Sequence, residues 1–209
     1  MASESGGRTY AGVDADTRRL ERRARLVASA IELFGAQGFA KTTVQALCEH
    51  AGLSKGYFYE SFPNLEAILI AAYEDAALTT QNYVLEQIGG ITDLREAARE
   101  GITFYLQYIS DNPVVGRLLY VEVLGVSPEV DQAYRHGVGL ITEVVDAVIQ
   151  LTPLARHAPR LLPTALAGLV AGTALQWCID DWADPVCDVA DAIMMMIDPL
   201  LELASPAVP

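Results

Sequence analysis

Between residues 18 and 25 the chain sets five arginines, Arg18, Arg19, Arg22, Arg23 and Arg25, against a single acid, Glu21. Guanidinium groups at that density suit phosphate oxygens. Residues 1–60 hold eight of the fourteen basic groups, with Arg8, Lys41 and Lys55 completing the set, and seven acids, for a net +1. Residues 61–209 hold six basic groups and twenty acids, for a net −14 within a chain total of −13. Screening limits each field to a Debye length of roughly 8–10 Å, so a basic patch on an acidic body can still bind phosphate. The acidic remainder repels a polyanion and favours one docking orientation. Other chemistries find little support. His50, His136 and His157 lie in separate segments, no H-x-x-x-H or G-x-S-x-G occurs, and no acid pair flanks a nucleophile, which argues against an enzyme. Cys48, Cys178 and Cys187 form no C-x-x-C pair and are odd in number, so they fit buried thiols in a reducing compartment, the cytoplasm, better than disulfides or zinc ligands. No phosphate-cradling Gly loop is present, and neither a metal nor a cofactor is expected.

The elements that position the arginines begin with residues 16–37, a helix whose Leu26, Val27, Ala30, Ile31, Leu33 and Phe34 form an apolar stripe. Residues 42–59 then read as two short helices around a tight turn. Thr42 and Gln45 have capping-box spacing, Val44, Leu47 and Cys48 give an apolar face, and Gly52 suits a left-handed helix end. Ser54 is a natural N-cap for the second helix, with Leu53 and Phe58 placed as a hydrophobic staple. This is a helix-turn-helix, a motif that usually reads DNA. Ile31, Phe34, Phe39, Val44, Leu47, Leu53, Phe58 and Phe62 are its expected core.

At 209 residues, 52% apolar and 20% charged, the chain is expected to fold as a soluble all-α protein. The divisions are a flexible tail over 1–15, a three-helix domain over 16–62 and a larger helical bundle over 63–209. Asn64 caps a long helix to about Ile88 that links the two. Further helices start near Asp93, Pro113, Pro128 and Pro185, with one between Pro159 and Asp181, and Pro199 is expected to kink or restart the last. Residues 161–179 carry no charge, and the last helix holds Ile193, Met194, Met195, Met196 and Ile197 in succession. Helices apolar on all sides need cover on two faces. A homodimer interface through Ala167, Gly168, Ala171, Gly172, Ile193, Met194 and Ile197 is preferred to a membrane span, which Pro163, Thr164, Thr173 and Gln176 interrupt. Phe104, Tyr105, Tyr108, Tyr120, Glu122, Trp177 and Cys178 are candidates for a mainly apolar ligand pocket. Glu122 either meets a cationic ligand or pairs with Arg135 or another basic group; pairing is favoured.

The chain resembles the tetracycline-repressor (TetR) family of bacterial transcriptional regulators. Thr42, Thr43, Val44, the run Ala51 to Gly56, Phe58, Tyr59, Phe62, Glu66 and Leu69 carry the likeness, with Ala30, Leu33, Phe34, Gly38 and Phe39 upstream. The resemblance implies an all-helical homodimer on a palindromic double-stranded operator, with a ligand cavity and the dimer contact in the second domain. It implies that Thr42 and Thr43 touch phosphate, that Gln45 reaches backbone or base, and that Ser54 caps a helix presenting Lys55, Gly56 and Tyr57 to the major groove. Tyr59 is expected to hydrogen-bond a phosphate. Ser61 and Leu65 depart from the family's usual phosphate-anchoring Tyr or His and Lys, and Arg22 and Arg23 are expected to compensate. A repressor released by a small hydrophobic effector is the expected function; the alternative is an activator, or a protein that acts through protein partners without an inducer.

Overall fold

Proline-free sequence up to Pro63 lets the first helix propagate unbroken. In a computed structural model, which describes residues 7–204, α1 runs over Gly7–Gln37. The tail expected over 1–15 is therefore helical from Gly7 onward, and residues 1–6 lie outside the described ones. α2 (Val44–Ala51), α3 (Lys55–Ser61), α4 (Leu65–Ile88), α5 (Leu94–Asp111), α6 (Pro113–Arg117), α7 (Pro128–Gln150), α8 (Leu162–Ile179) and α9 (Val186–Ala204) follow, with no strand among the described residues. Short 3-10 turns occupy Phe39–Lys41 and Pro153–Arg156, and a π-helical turn, Leu118–Glu122, continues α6.

Side-chain caps fix the starts of α2, α4, α5 and α7. Asn64 accepts from the Ala67 N–H at 2.8 Å, Asp93 from Glu96 at 2.8 Å, and Ser127 from Val130 at 3.3 Å ahead of Pro128. The start of α2 departs from the expected capping box. Thr43, not Thr42, accepts from the Ala46 N–H at 3.1 Å, and Gln45 donates instead to Glu49. Gly52 closes α2 in the left-handed region at φ 63°. Pro199 does not interrupt α9, which runs to Ala204. The carbonyl freed by proline belongs to Met195, whose residue is 74% exposed, so water can take the place of the lost hydrogen bond.

One hydrophobic core joins the head to the bundle. Phe34, Leu47, Phe58 and Phe62 are buried in the head with Leu26, Val27 and Ala30, and Ile31, Phe39, Val44 and Leu53 pack against them half-buried. The cluster continues through Ile68, Leu69 and Ala72 of α4 to Leu106, Leu118, Val123 and Ile193. α4, about 36 Å long at 1.5 Å per residue, thus carries buried contacts to both parts. Ion pairs stitch α5 to α9: Arg95 to Asp198 at 2.9 Å and Arg99 to Asp191 at 2.6 Å. Cys48 and Cys178 are buried as expected, whereas Cys187 is exposed.

The consecutive apolar residues of α9 split by helical period. Ile193, Met194 and Ile197 face inward and are buried within the protomer, so they do not form the subunit contact expected of them. Met195 and Met196, at 74% and 63% exposure, hold the outer face. On α8, Ala167 is likewise buried, while Gly168 and Gly172 have open space beyond them and Ile179 is exposed.

Candidate functional site

α3 is held against α1 by the very arginines that the sequence assigns to phosphate. The Arg22 guanidinium lies 4.3 Å from the centroid of the Tyr57 ring and 3.9 Å from the Glu60 carboxylate, and Arg23 lies 4.8 Å from the Phe62 ring. Cations over aromatic faces are worth about 0.5–1 kcal/mol when exposed. Arg25 donates to the Ala51 carbonyl at 2.5 Å, where a cation complements the negative end of α2. Arg22, Arg23 and Arg25 therefore brace the head as well as charging it. With that bracing, Ser54, Lys55, Gly56, Tyr57 and Tyr59 are all exposed along one short helix. The Ser54 hydroxyl makes no cap bond, although its carbonyl accepts from Tyr57 at 3.1 Å. Thr43 is exposed beside them. Thr42 is not: it is 4% exposed, and its hydroxyl donates to the Gly38 carbonyl at 2.8 Å and accepts from Gln37. Its side chain orders the turn before α2 rather than reaching outward.

Behind the head, the π-helical turn forms a second connection. Glu122 accepts from the Phe39 backbone N–H at 2.9 Å and from Arg117 at 2.9 Å, while Arg117 Nε donates to the Gly35 carbonyl at 3.1 Å. On an α-helix residues five apart diverge, but π winding brings i and i+5 together. That is why Glu122 pairs with Arg117 and not with Arg135. α1 and α6 approach closely here, since a Cβ on Gly35 would fall 2.1 Å from the Val114 carbonyl oxygen. The end of α1 and the connection that follows it are thus gripped by Arg117, the last residue of α6, and Glu122 of the π-helical turn.

The other side of that turn faces a cavity. Leu119 and Tyr120 line it, with residues of α4, α5, α7, α8 and α9, and its volume is about 360 Å³. None of the lining side chains is charged. The walls run from Tyr73 to Ile88 on α4 and from Tyr134 to Ile149 on α7, about 22 Å along each helix axis. Tyr73 and Tyr120 lie buried at the inner end, and exposed Leu85, Ile141, Val144 and Val148 mark the mouth between α4 and α7. Burial raises the pKa of the Tyr73, Tyr105, Tyr120 and Tyr134 hydroxyls, so all four stay protonated and neutral.

Of the pocket residues expected from sequence, the cavity brings together only Tyr105 and Tyr120. Phe104 is half-buried outside the lining, and Tyr108 packs on Tyr83 with centroids 4.8 Å apart. Glu122 points at the head. Trp177 donates to the Asp184 carbonyl at 3.0 Å and meets Trp182 edge-on, holding the α8–α9 loop, and Cys178 is buried outside the cavity. Sequence reasoning missed Tyr73, Tyr134 and the α7 wall. A signal was there: Val138, Ile141, Val145 and Val148 recur at helical spacing on a helix given no partner. Ala167, Ala171 and Ile197, expected at the dimer contact, belong to the cavity wall instead.

Comparison with known proteins places this arrangement. Residues 26–72 match the model of bacterial regulatory proteins of the tetR family. YerO, an HTH-type transcriptional regulator of Bacillus subtilis, is 43% identical over 54 residues, which cover 26% of this chain and 19% of YerO. FasR, an HTH-type transcriptional activator of Mycolicibacterium smegmatis, is 22% identical over 164 residues, 78% of this chain and 75% of FasR. The crystal structure of the transcriptional regulator FadR from Bacillus subtilis in complex with stearoyl-CoA shares the fold, with a TM-score of 0.66 at 16% identity over 87% of this chain and 97% of FadR. The helix-turn-helix head thus matches the tetR family model over residues 26–72, and the all-helical body shares its fold with FadR.

Proposed function

We propose that the protein is a cytoplasmic, homodimeric repressor that reads a two-fold symmetric operator through α3 and leaves it when a long apolar effector enters the cavity. The observation that carries this reading is the uncharged cavity ending on the π-turn whose opposite side holds Phe39 through Glu122, beside Arg117 of α6, which holds Gly35. Lys55 serves a guanine edge, Gly56 lets the backbone come close, and Ser54, Tyr57, Tyr59 and Thr43 supply hydroxyls to phosphates or bases. Gln45, exposed on α2, reaches the flanking backbone, and Arg22 and Arg23 add charge near phosphate while steadying α3.

Dimerisation uses the outer faces of α8 and α9, where Gly168 and Gly172 admit close approach and Met195 and Met196 supply apolar area. Among the described residues α8 is also the helix long and apolar enough to cross a membrane, yet only 28% of it is buried in the protomer, which leaves a face for a second subunit. An effector that binds better when the π-turn is displaced lowers operator affinity by its differential affinity for the two states, and by no more. FadR, which shares the fold, was crystallised in complex with stearoyl-CoA, a molecule with a long chain. FasR, named an activator, keeps the opposite regulatory sign as the second reading.

The test is a titration. With an operator recovered by selection, the neutral apolar probe N-phenyl-1-naphthylamine is added while fluorescence anisotropy follows the labelled DNA. Release in step with probe binding supports the reading. Tight probe binding with unchanged DNA affinity refutes effector control.

A further inference from the structure

Four tyrosines converge on the inner end of the cavity: Tyr73, Tyr105, Tyr120 and Tyr134. Their hydroxyls can be counted. Tyr73 donates to the Tyr134 carbonyl at 3.2 Å, an approach that requires Gly137, because a Cβ there would lie 2.3 Å from the Tyr73 oxygen. Tyr105 and Tyr120 hydrogen-bond each other through their hydroxyls. A pair of hydroxyls has two protons and one mutual bond, so one proton remains to donate elsewhere. The Tyr134 hydroxyl has no hydrogen-bond partner among the described residues. The inner end therefore offers two unspent O–H donors in a space whose other lining is apolar except for Thr80, Gln81 and Thr152, and the two threonine hydroxyls are spent on the Ala76 and Ile149 carbonyls.

We infer that the effector is a long, neutral apolar molecule that enters with an acceptor oxygen foremost, as an alcohol, ester, ketone or undissociated acid, and seats that oxygen between the Tyr105–Tyr120 pair and Tyr134. The inference rests on the cavity being the effector site. A hydrocarbon end placed there would leave two buried donors unmatched, and an unmatched buried polar group is costly. An ionised end would fare worse, because no lining residue carries a countercharge and Arg117 is committed to Glu122 and Gly35. Tyr120 belongs to the π-turn, so the oxygen is sensed by the same turn that grips the head. An acyl chain whose large anionic head stays outside would present its methyl end to these hydroxyls, the wrong chemistry for this site.

Displacement of N-phenyl-1-naphthylamine from the purified protein tests this with tetradecane, tetradecan-1-ol and tetradecanoate at pH 8. Tetradecan-1-ol is expected to displace the probe at about tenfold lower free concentration than either of the others, the worth of one to two net hydrogen bonds. Tyr134→Phe and the double change Tyr105→Phe with Tyr120→Phe are each expected to shrink that preference to less than about threefold. Tyr73→Phe, whose hydroxyl is already engaged, is expected to keep it, which shows that a loss elsewhere is not general unfolding. A wild-type protein that binds the probe but ranks alcohol and alkane equally, or prefers the anion, overturns the inference while leaving the cavity as effector site. A protein that does not bind the probe at all overturns both.

Discussion

Changing Glu122 to alanine removes two bonds at once. Its carboxylate accepts from the Phe39 N–H at 2.9 Å and from Arg117 at 2.9 Å, and its side chain is only 12% exposed. A hydrogen bond to a charged group contributes about 1.5–3 kcal/mol. The pair with Arg117 adds roughly 0.5 kcal/mol, because the guanidinium is half-exposed and screened. Glu122→Ala should therefore lower unfolding free energy by roughly 2–3.5 kcal/mol, whereas Glu122→Gln, which keeps an acceptor for Phe39, should cost about 1 kcal/mol. Urea denaturation followed by circular dichroism reads both values against a total of about 5–15 kcal/mol. The same variants carry a functional expectation. If the π-turn transmits cavity occupancy, the ratio of operator Kd with and without effector should collapse toward unity in Glu122→Ala, while effector affinity changes by less than about threefold, or 0.65 kcal/mol. An alanine variant within about 0.5 kcal/mol of wild type that retains the full effector response would refute the reasoning, since neither bond would then matter.

Three further expectations follow from the geometry. Lys55→Ala should cost about 1–3 kcal/mol of operator affinity and relax base preference, while Arg22→Glu with Arg23→Glu should weaken all sequences alike and flatten the slope of log affinity against log salt; parallel filter-binding series separate the two. The buried tyrosines titrate above their unfolded value, so the unfolded chain loses protons first, and their contribution is full below about pH 10 and is lost as pH rises further. Denaturation midpoints should fall steeply above about pH 10, less so in Tyr73→Phe after allowance for its lower starting stability. Met195→Glu with Met196→Glu should convert a dimer to monomers in sedimentation velocity without altering monomer helicity, because both side chains lie outside the protomer core.

Much of the fold was legible because its signals are local. Asn64, Asp93, Pro113 and Pro128 mark helix starts by capping chemistry that acts within one turn, and the apolar stripe of α1 announces its buried face. The head was legible for the same reason, down to Gly52. What escaped depends on winding and on tertiary partners. The π-turn moves Glu122 from the cavity side to the head, and a one-residue change of period has no sequence mark in an apolar run such as Leu118 to Val121. Thr42 and Thr43 are chemically interchangeable as caps, and only the Gly38 carbonyl decides which one turns inward. Trp177 looked like a pocket residue because aromatic burial does not say against what. Its partner, Trp182, sits with Asp181 at positive φ, a loop conformation that residue types did not announce. On α9 the split between inward Met194 and outward Met195 follows from phase alone, which five consecutive apolar residues conceal.

The central claim, sequence-specific reading of DNA by α3, is tested most directly by selecting bound fragments from a random-sequence pool with the purified protein at moderate salt. A two-fold symmetric site, weakened for both Lys55→Ala and Tyr57→Ala, is the predicted result. Recovery of no enriched sequence, at low salt as well, would contradict it.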